Sequence, residues 1–240
     1  MSLSIIVTIA LSASTFAIPQ FRHPSPPAGL AIPPRGSRTC DISTAKLVLP
    51  AGQTALSTPA VAPSTIVLGV GVQNYTCSAA GTYTAAGAVA DLYDLSCISK
   101  IPAAFNAVQD VVYSAWTLAP PSLKTLGPLV AGYPMLGSHF FITSPSGTGI
   151  SPVWDYRAMS AKGNTNAFVL AAKVGNIPAP TGAKDVDWLE LKSVSGDLAT
   201  QIYRTDTRGG PPPASCSPGS APISVKYVSK YWLYGGNVKI

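Results

Sequence analysis

The amino-acid sequence predicts an all-β protein, an antiparallel β-sandwich or barrel with at most one short helix, stapled by two disulfides. Three observations predict it. Short runs rich in β-branched and aromatic residues recur along the chain, broken by Pro, Gly and Ser clusters, which is how sandwiches and barrels read. Regular alternation of strand-like and helix-like segments is missing, and that argues against a doubly wound parallel sheet. Finally, Cys40, Cys77, Cys97 and Cys216 form an even set behind an export-like amino terminus, with spacings unlike the paired cysteines of zinc sites.

Taken in chain order, the first element is an apolar stretch from Ile5 to Ala13 followed by a Thr15-Phe16-Ala17 step that suits signal peptidase. At about half the roughly 20 residues a membrane span requires, it reads as a cleaved secretory signal over residues 1–17. Residues 18–39 follow as a leader with six prolines, Pro19, Pro24, Pro26, Pro27, Pro33 and Pro34, too poor in apolar periodicity to fold alone. A single β domain is expected over 40–240, and no later segment is apolar enough to span a membrane. The expected location is therefore secreted and extracellular, with the oligomeric state left open.

Within that domain the predicted strands are Lys46 to Leu49, Thr65 to Tyr75, Gly87 to Leu95, Ser138 to Thr143, Val153 to Met159, Ala167 to Val174, Asp187 to Val194, Leu198 to Thr205 and Ile223 to Tyr234. In the last run Ile223, Val225, Tyr227, Tyr231 and Leu233 share one face, while Ser224, Lys226 and Lys230 point the other way. Such alternation marks a strand with one buried face. Ala103 to Ala115 is the predicted helix, with Phe105, Val108, Val111 and Val112 at helical spacing. Of the three connectivities open to four cysteines, Cys77 with Cys97 and Cys40 with Cys216 is preferred.

The motifs point in several directions. Gly69-Val70-Gly71-Val72-Gln73-Asn74 begins like a dinucleotide fingerprint, but Asn74 replaces the third glycine and Tyr75-Thr76-Cys77 favours extended chain over a phosphate-binding helix. The glycines read instead as a bulge or a close strand approach. Asn74-Tyr75-Thr76 is a glycosylation sequon in an exported chain.

His139 is the sole histidine of the expected domain, since His23 lies in the leader. With Asp155 it could begin a triad, yet no Gly-x-Ser-x-Gly elbow is present, and one imidazole is a poor start for a metal site. The ordinary reading is a hydrogen-bonded strand residue beside Phe140 and Phe141. Asp185, Asp187 and Glu190 gather near one strand, where acid pairs for glycoside cleavage are weighed against exposed charges on a sheet edge.

Trp116, Trp154, Trp188 and Trp232, with ten tyrosines, supply core mass and a candidate stacking surface. Arg204-Thr205-Asp206-Thr207-Arg208 is either an anion-gripping cluster or a pin for the Gly-Gly-Pro-Pro-Pro turn leading to Cys216. The ligand-binding candidates are thus His139, Trp154, Asp155, Arg204 and Arg208; no catalytic residue, cofactor or metal is assigned.

Charge narrows the partners. Sixteen basic residues against ten acidic ones give +6, but they are scattered, and a nucleic-acid role needs a concentrated basic face. A mildly basic surface suits an extracellular protein near acidic polysaccharide.

Gln73-Asn74-Tyr75-Thr76-Cys77, Gly87-Ala88-Val89-Ala90-Asp91-Leu92-Tyr93 with Cys97, the His139 strand followed by Pro152-Val153-Trp154, and Trp188-Leu189-Glu190-Leu191 together resemble a known family. Arg204-x-x-Thr207-x-Gly209-Gly210-x-x-Pro213-x-x-Cys216 and the closing Tyr227, Tyr231 and Tyr234 complete the likeness. It is similar to the secreted fungal and bacterial proteins grouped as domain of unknown function 3455. Asp155-Tyr156-Arg157 stands where bacterial members tend to show Asp-Gly-Ser. Fungal members often carry the label malate dehydrogenase, which the residues here do not support. The resemblance implies secretion and a cell-surface or host-contact setting, and it transfers no activity. The expectation is a non-enzymatic protein that binds cell-wall polysaccharide or a host surface; a hydrolase or oxidase using His139 and Asp155 is the alternative.

Overall fold

The computed structural model describes residues 40–118 and 130–240. The expected signal sequence and proline-rich leader lie outside the described residues. Eight strands follow one another: β1 (Pro63–Cys77), β2 (Tyr83–Asp94), β3 (Met135–Thr143), β4 (Ile150–Asp155), β5 (Phe168–Ile177), β6 (Trp188–Ser195), β7 (Gln201–Gly209) and β8 (Ile223–Tyr234). Each pairs antiparallel with the next, and β8 returns to β1, so the sheet closes into an up-and-down barrel. Of the two predicted architectures the barrel is the one formed, and closure leaves no unpaired strand edge. Lys46–Leu49, expected as a strand, is irregular chain. Its alternation has another cause: Leu47 and Leu49 lean on the core as the segment crosses it.

Period-two alternation sends one set of side chains into the lumen. Val67, Leu92, Trp154, Val169, Leu191, Ile202 and Leu233 fill it, and Tyr156, Ala161 and Leu198 plug the end where β4 finishes and β7 begins. On the outside, α1 (Pro102–Leu118) follows a short 3-10 turn at Ile98–Lys100. It lays Phe105, Val108, Val112 and Trp116 over Ile66, Leu68, Val70, Val228 and Trp232 of β1 and β8. Burying side chains of this size stabilises by about 1.5–3 kcal/mol each. The Trp116 Nε1–H donates to the Gly71 carbonyl at 2.9 Å, and Lys226 Nζ donates to the Trp116 carbonyl at 2.8 Å. A cation at that position satisfies an orphan helix carbonyl and opposes the helix dipole.

The helix overturns the expectation of a half-exposed β8. From Tyr227 to Tyr234 both faces are buried, and Lys230, expected to point to solvent, is 1% exposed. Its Nζ lies 3.2 Å from Asp206 Oδ2 and 4.4 Å from the centre of the Phe105 ring. Burial pulls the Lys230 pKa down, while Asp206 opposes that shift.

The disulfides are Cys40–Cys97 and Cys77–Cys216, which corrects the preferred pairing. The β1–β2 register explains why. Cys77 opposes Tyr83 at the turn, whereas Val67 opposes Asp94 at the far end, beyond which Cys97 lies. Ten residues of strand put the two cysteines about 33 Å apart, against a Cα limit of about 7 Å for a bridge. The actual bridges span 57 and 139 residues, worth about 4 and about 5 kcal/mol in the chain-entropy account.

Candidate functional site

A cavity of about 790 Å³ opens at the end of the barrel that holds the β1–β2 turn and the Cys77–Cys216 bridge. His139, Trp154 and Arg204 all line it. The register accounts for their meeting: His139 of β3 pairs with Trp154 of β4, and Arg204 of β7 pairs with Tyr231 of β8, so all four point inward. The rim is exposed at Ala85, Ile150, Ala172 and Lys173.

His139 is 2% exposed and stacks on Trp154, ring centres 4.4 Å apart, with Phe141 and Tyr231 edge-on or tilted at 5.4 Å. Its Nδ1 lies 2.8 Å from the Val153 carbonyl. A carbonyl only accepts, so Nδ1 carries the proton and Nε2 presents a lone pair. Burial, reinforced by the charge of Arg204, outweighs that hydrogen bond and pushes the pKa down to about 3. The imidazole is neutral across the physiological range.

Arg204 donates through Nε (3.1 Å) and Nη2 (2.9 Å) to the single carbonyl of Asp187. Among the described residues no carboxylate pairs with it within 4 Å. Its positive charge is felt inside the barrel, where it opposes the upward pKa shifts that burial imposes on Tyr75 and Tyr227.

Two of the expected ligand-binding residues are elsewhere. Arg208 would share the parity of Arg204 in a regular strand, but β7 carries a bulge between Thr205 and Arg208, with Asp206 at φ +50°. One extra residue flips everything after it to the other face. Arg208 therefore lies outside, forked onto both carboxylate oxygens of Asp110 on α1, and Asp206 faces Lys230. The expected Arg-Asp-Arg cluster is dispersed.

Asp155 neighbours Trp154 and so points outward. Its carboxylate takes three bonds from the Arg157 guanidinium and one from the Arg157 amide; those bonds hold its pKa below the usual range. It does not face the cavity, so a hydrolase or oxidase built on His139 and Asp155 loses its geometric premise.

The acidic residues correct a second expectation. Instead of lying exposed on an edge, Asp185 and Glu190 are 5% and 4% exposed. Glu190 faces outward and accepts from the Ser57 amide and hydroxyl and from Gln201 Nε2. Asp185, at the cavity rim, accepts from the Gly209 amide at 2.6 Å and from Thr181 Oγ1. With the Tyr75 hydroxyl, which donates to the Gly210 carbonyl at 2.8 Å, it pins the Gly-Gly-Pro-Pro-Pro turn. That task had been expected of the arginines.

The glycines of the fingerprint-like run sit within β1, and the next element is the strand β2 rather than a helix. A Cβ on Gly69 would come 2.5 Å from the Tyr231 ring, and one on Gly71 2.0 Å from the Val89 carbonyl. They are close-approach residues, as read. All four tryptophans are buried, and only Trp154 lines the cavity.

Sequence reading missed Gln73. It is 8% exposed, lines the cavity, and its Nε2 lacks an acceptor among the described residues; so does the Nε1 of Trp154. Much of the remaining wall is apolar, with Phe141, Pro152, Ala171, Leu189 and Leu191 prominent, while Ser151, Lys173, Asp185 and Asp187 add polar groups. A larger hollow, about 1200 Å³, lies beside Cys40, Tyr133 and Ile240. Its Asp94 accepts from the Ser96 amide, and among the described residues no unpartnered buried side chain faces it.

The fold and site define an eight-stranded antiparallel barrel with a ligand-sized lumen, an architecture in which eight strands leave room for packed side chains or one small ligand. Residues 58–235 match the family described as Protein of unknown function (DUF3455), and the chain belongs to that family. No curated protein and no solved structure matches it.

Proposed function

We propose that this is a secreted protein that acts by binding, with the barrel cavity as its site, in an extracellular setting at a cell wall or host surface. The observation that carries the reading is the lumen-facing Arg204. It is a guanidinium without a carboxylate partner in a preformed, aromatic-walled cavity whose volume falls in the range of small-molecule sites. Two disulfides support an oxidising destination. Among the described residues no helix is long and apolar enough to cross a membrane. In this reading Asn74, whose Oδ1 accepts from Ser224 on the outer wall of β1, carries a glycan clear of the lumen.

The test is ligand-induced quenching of Trp154 fluorescence in the processed protein. It is run alongside retention on insoluble chitin, glucan and pectin, with Trp154→Phe as the reporter control. Binding in the cavity quenches the native protein and not the variant. Absence of any Trp154-dependent change across a broad small-molecule library, together with no retention on the three polysaccharides, rejects the proposal.

A further inference from the structure

If the cavity is a binding site, its contents also specify the chemistry of the occupant, an assignment that rests on the binding function proposed above. Three groups that line the cavity have donor capacity that the protein does not use. Arg204 spends two N–H bonds on one neutral carbonyl, which leaves Nη1 unpartnered among the described residues. Gln73 Nε2 and Trp154 Nε1 have no acceptor, although both residues are more than nine-tenths buried. Buried donors and buried charge are costly unless matched. Such an accumulation around one cavity calls for an acceptor-rich, negatively charged partner.

The one buried carboxylate of the lining does not supply it. Asp185 is engaged on both oxygens by the Gly209 amide and Thr181, and its field raises Tyr113 on α1 outside the barrel. Asp187, the half-buried carboxylate of the lining, accepts from Asn176 Nδ2 and meets Arg204 only through its backbone carbonyl, whereas the field of Arg204 reaches His139, Tyr75 and Tyr227 within.

The rest of the wall limits the body of the ligand. Phe141, Pro152, Ala171, Leu189 and Leu191 offer no hydrogen bonds, so a free sugar acid, with hydroxyls on every side, would leave most of them unsatisfied. One guanidinium within the lumen matches one negative charge; the other cation of the lining, Lys173, is exposed on the rim, and among the described residues no helix N-terminus lines the cavity to balance a phosphate dianion. We propose that the cavity takes a small apolar or aromatic monocarboxylate, with Arg204 gripping the carboxylate, Gln73 completing its hydrogen bonds, and the Trp154 and Tyr231 rings bounding the apolar body.

The experiment titrates the full processed protein at pH 7 by calorimetry with two matched pairs, trans-cinnamate against cinnamamide and decanoate against decanamide. At least one acid is expected to bind ten-fold or more tightly than its amide. Arg204→Gln removes that preference, bringing the acid down to its amide, while Arg204→Lys retains part of it and shows that the charge is what matters. Gln73→Leu weakens the acid several-fold and leaves the amide unchanged.

Equal binding of acid and amide, or a preference that survives Arg204→Gln, overturns the carboxylate assignment while leaving cavity binding intact. Failure of all four compounds to bind also overturns the carboxylate assignment, while cavity binding itself stands or falls on the Trp154 quenching test above. Should Arg204→Gln fail to fold, as judged by its near-ultraviolet dichroism, Gln73→Leu decides alone: an unchanged acid affinity there refutes the assignment.

Discussion

Two arginines four residues apart on one strand are treated in opposite ways. Arg208, on the outer face under α1, is forked onto Asp110, and nearby Lys230 is matched by Asp206. Arg204, in the lumen, has only the Asp187 carbonyl, and it lies in a cavity whose lining includes the unpartnered donors of Gln73 and Trp154. The outer face shows how this chain treats cations whose task is to hold a helix in place. The lumen departs from that standard, and departures from local satisfaction in an otherwise consistent fold are expected where function sits.

The largest effect that tests the contrast comes from acid. Burial, reinforced by the unneutralised charge of Arg204, holds the His139 pKa at about 3 where the ordinary value is 6.5. Unfolded chain takes up the proton first as pH falls. Stability is therefore undiminished above about pH 6.5, declines by about 1.4 kcal/mol per unit below it, and has lost up to about 5 kcal/mol by pH 3. Denaturant titrations at pH 7 and pH 4.5 should show native stability dropping more steeply than that of His139→Phe, by about 2–3 kcal/mol over that interval. Parallel profiles would mean that the imidazole is protonated at little cost.

Next in size is Gly69→Ala. Its Cβ would meet the Tyr231 ring at 2.5 Å, and overpacking of this kind costs about 1–3 kcal/mol. The ring has to move within the lumen, so the substitution should lower both melting temperature and ligand affinity. Gly210→Ala, at φ +98° on the turn above the mouth, serves as a comparison. An unchanged melting temperature for Gly69→Ala would show that the β1–β8 pairing is looser than its register implies.

Much of this arrangement was legible in the sequence, and the limits have physical causes. Short β-rich runs bounded by turn residues overlapped all eight strands, because both are local signals, and they also suggested one at Lys46–Leu49 that does not form. Whether the sheet closes depends on β8 meeting β1, as Val228 meets Val70 across most of the chain, so barrel and sandwich stayed equivalent. The disulfide pairing turned on hairpin register, which a spacing along the chain does not encode. Lys230 was misread because a helix from another part of the sequence covers its face.

In the site, His139, Trp154 and Arg204 were found as rare residue types in strands. Arg208 and Asp155 were grouped with them only by nearness in sequence, which a bulge and a strict alternation undo. Gln73 carried no signal, since a glutamine in a strand is unremarkable until its amide is seen to be buried and unpartnered.

On the outer face the expected effect is smaller. A double-mutant cycle on Asp110→Ala and Arg208→Ala should return a coupling of about 0.5–1 kcal/mol, the upper end for a partly exposed pair with forked geometry. The same cycle on Arg204 with Asp185 should return none, since Asp185 bonds only Gly209 and Thr181. A coupling of similar size in the lumen would erase the distinction between the two arginines.

Gln73→Leu gives the smallest change and the most discriminating sign. If the amide were structural, its removal would cost stability, as removing one partner of a hydrogen bond does. An unpartnered Nε2 in the wall of β1 predicts the reverse. Leucine has similar bulk and no donor to strand, so the unliganded protein should be as stable as the native one or up to about 1 kcal/mol more stable. Thermal melts of the unliganded pair measure this, and a loss above about 1 kcal/mol would reassign Gln73 to the scaffold. A gain in stability with a loss in carboxylate affinity is the trade-off expected of a polar group kept in a core for its ligand. On the outer face Arg208 and Lys230 each have a carboxylate, so removing either partner there should cost stability rather than add it.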